Sequence, residues 1–236
     1  MIITNKSTVF IQFFKKILSF LLITTLFSEY GKNIVQYDEF DWHFIQTKHF
    51  DIYYYGNGEN NVEFVASHAE KAHDKIEKYI GWGLNERSAI IYYNSHNEFQ
   101  QTNVIESYMR EGIGGVTELI KNRMVIPYDG SLKDFSHVIY HELVHVFIND
   151  GMYGGSLQNL MSSNNAVFIP LWMNEGLAEY LAHPWDVNSD MWMRDLAINS
   201  SSLPNINSLN GYLAYRGGQS VWKFICEKWG EESIAE

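Results

Sequence analysis

Two apolar helical stretches, Ser131–Asp150 and Pro170–Ala182, each set ionisable side chains one turn apart, and no other feature constrains this 236-residue chain as tightly. Ser131 followed by Asp134 is a capping pair that predicts a helix starting near Leu132. On that helix His141 and His145 share one face, about 6 Å apart along the axis, so two imidazoles can grip one metal ion. Glu142 is offset by about 100° and can reach a water beside the ion, the position of a general base. In the second stretch Pro170 suits a first helical turn, and Glu175 and Glu179 share a face otherwise built from Trp, Leu and Ala. Burying two acids there is costly unless a cation or donors compensate. The imidazole pair and a metal would supply both, with either glutamate as the third ligand.

The remaining sequence indicates how such helices are supported. Phe44–Tyr55 alternates and is rich in aromatic and β-branched residues, predicting a strand that ends at the turn Gly56-Asn57-Gly58. Asn61–Ile80 has apolar residues at helical spacing and stops at Gly81. Ser88–Tyr93 reads as a buried strand, and Val116–Ile120 with Met124–Tyr128 as a hairpin or two neighbouring strands. Beyond Ser131 the pattern is mainly helical, and Ser220–Glu236 reads as a helix with a turn at Gly230. The expectation is an α+β fold: a mixed sheet with a helix in the N-terminal half, a mainly helical C-terminal half, and the metal site in the cleft between.

Composition adds exclusions. Residues 1–28 hold Lys6, Lys15 and Lys16, no acid, and an apolar-to-neutral run from Ile17 to Phe27, which predicts a signal peptide or an N-terminal anchor. The rest, 29–236, reads as one domain, a fragment of a longer chain, exported to the periplasm, cell surface or medium. Without those three lysines, 14 basic side chains face 28 acidic ones, a balance that disfavours nucleic acid and anionic membrane as partners. The only thiol, Cys226, falls in an apolar helical pattern and reads as a small buried hydrophobe, so no disulfide staples the fold.

The pair His141-Glu-Leu-Val-His145 and Asn174-Glu175-Gly176-x-Ala178-x-Tyr180 resembles the gluzincin metallopeptidases, more specifically the peptidase-MA-like domains of secreted bacterial proteins. The likeness covers Leu132–Ala182 and, more loosely, Tyr212–Gly230. It implies a zincin-like fold, one Zn²⁺ held by His141, His145 and Glu175, and Asn174 and Glu179 as supporting residues, Glu179 orienting a ligand histidine. Gly176 beside Glu175 would permit close approach of that helix to the metal helix. The resemblance further implies a peptide or protein substrate paired along the strand Gly114–Glu118, and, as in some relatives, a β-propeller downstream. Tyr212 and Tyr215 are candidate donors to the oxyanion of a tetrahedral intermediate. An endopeptidase is favoured over an aminopeptidase, because Gly114-Gly115-Val116-Thr117-Glu118 lacks the Asn that follows in the amine-binding motif. The alternative is a catalytically idle zinc-binding interaction domain of a larger surface protein. Between His145 and Glu175 lie 29 residues, more than in the best-known branches, through the Gly- and Asn-rich insert Gly151–Ala166.

Overall fold

A computed structural model describes residues 36–104, 112–119, 121–154 and 169–236. The expected signal peptide or anchor, and the insert beyond Gly154, lie outside the described residues. No helix among the described residues is long and apolar enough to cross a membrane.

Alternating apolar residues build a five-stranded mixed sheet in the order β1-β2-β3-β5-β4. Strands β1 (Trp42–Gln46) and β2 (Phe50–Tyr55) pair antiparallel, with Trp42 opposite Tyr55 and Gln46 opposite Asp51. The single strand expected over Phe44–Tyr55 is therefore a hairpin. Thr47 makes the break: its backbone N–H donates to Phe50 O at 2.9 Å, while its Oγ1 accepts from Phe50 N at 3.1 Å. Helix α1 (Glu59–Ile80) connects β2 to β3 (Ser88–Tyr93), which runs parallel to it. Gly81 ends α1 in the left-handed region at φ 86°, and its N–H caps Glu77 O, as the glycine predicts.

After the short helix α2 (His96–Phe99) come β4 (Val116–Thr117) and β5 (Met124–Pro127). These pair antiparallel, and β5 lies parallel to β3, so β4 is the edge. From Ser131 onwards the described regular elements are all helical: α3 (Leu132–Tyr153), α4 (Leu171–Ala182), α5 (Val187–Asn199), α6 (Tyr212–Trp229) and short 3₁₀ turns.

The two sheet faces have separate partners. Phe50, Ile52, Ile90, Tyr92, Met124 and Ile126 pack with α1, α3, α4 and α6 in the main core. On the other face Tyr55, Tyr93 and Val125 gather with Phe99 and Val104. Helix α3 lies on the main-core side, with Phe135, Ile139, Leu143, Val146 and Phe147 in that core, so its remaining face is free to carry chemistry.

Helix α6 differs from expectation in an informative way. The helix expected over Ser220–Glu236 begins earlier, at Tyr212, and runs through Gly217 and Gly218 to Trp229. A Cβ on Gly176 of α4 would lie 2.3 Å from the carbonyl carbon of Gly218, and one on Gly218 would lie 2.1 Å from Trp172 O. Backbone meets backbone there, and only glycine permits that separation. Trp222 Nε1 donates to Met173 O at 2.9 Å and Gln219 Nε2 to His183 O at 3.0 Å, so α6 braces α4 near both its ends.

Candidate metal centre

Helix α3 starts where Ser131 Oγ accepts from Asp134 N and ends at Gly154 in the left-handed region, so it runs uninterrupted under the His-Glu-x-x-His segment. His141, Glu142 and His145 are all buried. Helix α4 packs across this helix and brings Glu175 and Glu179 to the imidazoles.

Three atoms converge. His141 Nε2 and His145 Nε2 are 3.2 Å apart, and both face Glu175 Oε2, at 3.1 and 3.3 Å. Donor atoms about 2.0–2.1 Å from a tetrahedral zinc stand about 3.3 Å from one another, so these spacings fit a shared ion. The tautomer of His145 fits as well: its Nδ1–H donates to Asn174 Oδ1 at 3.2 Å, which leaves the Nε2 lone pair directed at the other two atoms. Two imidazole lone pairs and a carboxylate meeting in a buried space demand a proton or a metal between them.

Glu179 has different company. Its Oε1 accepts from His137 Nε2 at 3.1 Å and lies 3.2 Å from His141 Nδ1. Its Oε2 accepts from Arg216 Nη1 at 3.1 Å. His137, His141 and Glu179 could also surround a cation, yet that grouping leaves out His145 and carries an arginine on its carboxylate. Among the described residues no arginine or lysine pairs with the set His141, His145 and Glu175, which makes it the better candidate for a metal.

The electrostatics agree. Burial alone would lower the His141 imidazole, but the carboxylates of Glu175 and Glu179 outweigh it and push His141 up to about 10. Burial pushes both glutamates upwards, and the facing histidines reverse this, holding each well below the usual carboxylate range. Without a metal, the proton on His141 and the Arg216 guanidinium thus balance the two buried carboxylates, and that proton is what a metal ion at the same atoms would displace.

Glu142 is fixed from the sheet side. Thr117 Oγ1 on the edge strand donates to Glu142 Oε2 at 2.8 Å, with Glu142 O as the alternative acceptor at 3.1 Å. A Cβ on Gly115 would sit 2.8 Å from Glu142 Cγ, so glycine is what lets the edge strand lie against this carboxylate. A cleft of about 550 Å³ opens here, lined among others by Gly114, Gly115, His141, Glu142, Tyr212 and Tyr215. A depression of about 410 Å³ lined by Trp42, Tyr53 and Tyr93 lies on the other sheet face, away from the ionisable cluster.

The two tyrosines are not equivalent. Tyr215 lies parallel to the His141 ring, with centroids 5.8 Å apart, and its phenol is pushed upwards first by burial and then by the adjacent Glu175 carboxylate. Tyr212 is exposed, and its hydroxyl accepts from Arg216 Nε at 2.9 Å. Glu118 is turned to Arg123, whose Nε donates to it at 2.6 Å.

The structure therefore brings together His141, His145, Glu175, Glu142, Asn174, Glu179 and Tyr215, with Tyr212 at the rim. Sequence reasoning missed Arg216 and Thr117. Neither carries a local signal, because each matters only through a contact with a distant helix. No family model and no curated protein sequence matches the chain.

Proposed function

We propose that this chain is an exported zinc-dependent endopeptidase of the gluzincin type, with a zincin-like arrangement of sheet edge, metal helix and following helix. The observation that carries this reading is the convergence of His141 Nε2, His145 Nε2 and Glu175 Oε2 beside a cleft that Glu142 also lines. Those three residues would hold one Zn²⁺, and a zinc ion so held supplies Lewis acidity that lowers the pKa of water towards neutrality and polarises a carbonyl.

The chain's own groups do the rest. Glu142, its rotamer fixed by Thr117, accepts a proton from water entering the cleft and returns it to the leaving amine. Asn174 and Glu179 hold the two imidazoles in orientation. Tyr215 stays protonated throughout the working range, since its phenol is pushed up, and can donate to the oxygen that gains charge as the peptide bond breaks. Tyr212 is engaged with Arg216 and serves the rim. An extended peptide lies along the sheet edge at β4 and the preceding Gly114 and Gly115, pairing by β-augmentation. The Glu118–Arg123 pair supports the endopeptidase reading, as Glu118 is not free to hold a substrate's terminal amine.

Metal analysis of the purified protein combined with cleavage of a peptide library tests the proposal. Glu142→Gln should retain zinc near full occupancy while peptidase activity falls by on the order of 10³ or more. Unchanged activity in that variant would remove the mechanism. Export is tested separately: terminal sequencing of the exported protein should begin near Ser28 to Gly31.

A further inference from the structure

His73, in α1, is only 2% exposed, and neither of its ring nitrogens has a hydrogen-bond partner. Each buried polar group left unpaired costs about 1–3 kcal/mol, so such an imidazole demands an explanation. Among the described residues, the rings packed around it supply no partner. One face is covered by His49, stacked at 3.5 Å between centroids and 4° between planes, while Phe50 and Phe147 stand at its edges. His49 cannot bond to it, because the rings are parallel and His49 Nδ1 is paired with Glu70 at 2.7 Å.

The Nδ1 atom of His73 instead faces two carboxylates, Asp74 Oδ1 and Glu77 Oε2, each 3.7 Å away. That is too long for a hydrogen bond. It is close to the separation of about 3.6 Å between two donor atoms that share an ion at about 2.1 Å with an angle near 120°. His73 and Glu77 are one turn apart, and all three ligand atoms lie within 4.8 Å of one another. The Asp74 and Glu77 side chains are 77% and 49% exposed, so an ion can enter from solvent and keep water as its further ligands. Glu77 is also given room: a Cβ on Gly83 would come within 2.7 Å of Glu77 Oε1. Burial, and then the neighbouring His49, hold His73 below the ordinary value, leaving the imidazole in the neutral form that ligates at neutral pH.

We propose that His73, Asp74 and Glu77 form a second metal site, for a divalent ion of the zinc or nickel type, sharing no residue with the His141–His145–Glu175 set. One imidazole with two carboxylates suits such borderline ions better than calcium or magnesium, which take oxygen alone. The ion satisfies Nδ1, one of the two orphaned nitrogens, and neutralises two adjacent acids on the same turn.

The test is a zinc titration of the full, chelator-stripped chain near neutral pH, in the wild type, in Asp74→Asn/Glu77→Gln and in His145→Ala. Both acids are solvent-exposed, so the double variant should keep its fold, checked by circular dichroism. The expected result is one equivalent of zinc that is lost in the double variant and survives His145→Ala. In the wild type, zinc should also shift the His73 Nδ1 ¹⁵N resonance. If no equivalent responds to the double variant, or if the His73 nitrogen does not shift, His73 is a structural histidine only and the proposal is overturned. A missing equivalent at His145 would count against the proposed peptidase centre and leave this result unaffected.

Discussion

Glu175 and Glu179 lie one turn apart on α4, yet one faces the His141 and His145 rings while the other is clamped by His137 and Arg216. A metal ligand must approach to about 2 Å and lose all competing cations, whereas an orienting carboxylate needs only hydrogen-bond reach to a ring. Glu175→Ala should therefore abolish stable zinc binding at the His141–His145 set. Glu179→Ala should weaken affinity or activity by about 10- to 100-fold, and Arg216→Met, which frees the same carboxylate, should act in the same direction and by no more. Chelator competition measures all three, and a Glu179 variant weaker than the Glu175 variant would exchange the two assignments. These acids, the two histidines and Glu142 were legible in the sequence because each falls at helical spacing within a continuous segment. Arg216 was not, since nothing in its own helix indicates which carboxylate it meets.

At the level of elements, the position of α4 depends on its crossing with α6. Gly176 and Gly218 bring the backbones together, and Trp222 and Gln219 satisfy carbonyls near the two ends of α4. The sequence misleads here for a physical reason: a glycine pair weakens a helix locally, so it reads as a boundary, but its use is close approach to a partner that sequence does not reveal. Gly218→Ala would drive a methyl group against Trp172 O and the Gly176 backbone, neither of which can rotate away. Loss of stability at or above the usual 1–3 kcal/mol for overpacking is expected, together with reduced zinc content, because α4 carries Glu175. Gly56→Ala is the control. It has φ 51° but nothing within 4 Å, so it should cost about 1–2 kcal/mol of backbone strain and leave zinc content unchanged. Urea midpoints and metal analysis on the two variants separate crowding from strain.

Across the whole molecule, individual elements were more legible than their joining. Asn61–Ile80, Ser88–Tyr93 and the helix from Leu132 follow from periodicity and caps, and α1, β3 and α3 match them closely. The turn inside Phe44–Tyr55 was not visible, because Thr47, Lys48 and His49 interrupt the pattern without a glycine or proline. Part of what fixes that turn is distant: Arg87, just before β3, donates to Thr47 O at 2.7 Å and Lys48 O at 2.9 Å, and to Asp51 Oδ1 at 2.6 Å. This single guanidinium ties the β1–β2 hairpin to the parallel strand beside it, and its hydrogen bond holds the Asp51 carboxyl below the ordinary value despite some burial. A carboxyl depressed in the folded state contributes stability that is present above its unfolded pKa, about 4, and is lost as the pH falls through the lower folded value. Asp51→Asn keeps the shape but cannot carry the charge. The stability difference between wild type and Asp51→Asn should accordingly be constant from neutral pH down to about 5, then shrink steadily below about 4 as the wild-type carboxylate takes up its proton. Because the pair is partly exposed, the difference should also shrink in high salt at neutral pH. Urea unfolding of both proteins over this range measures it, and curves that stay parallel down to the acid limit would mean that Arg87 holds the hairpin through the backbone carbonyls of Thr47, Lys48 and Phe50 alone.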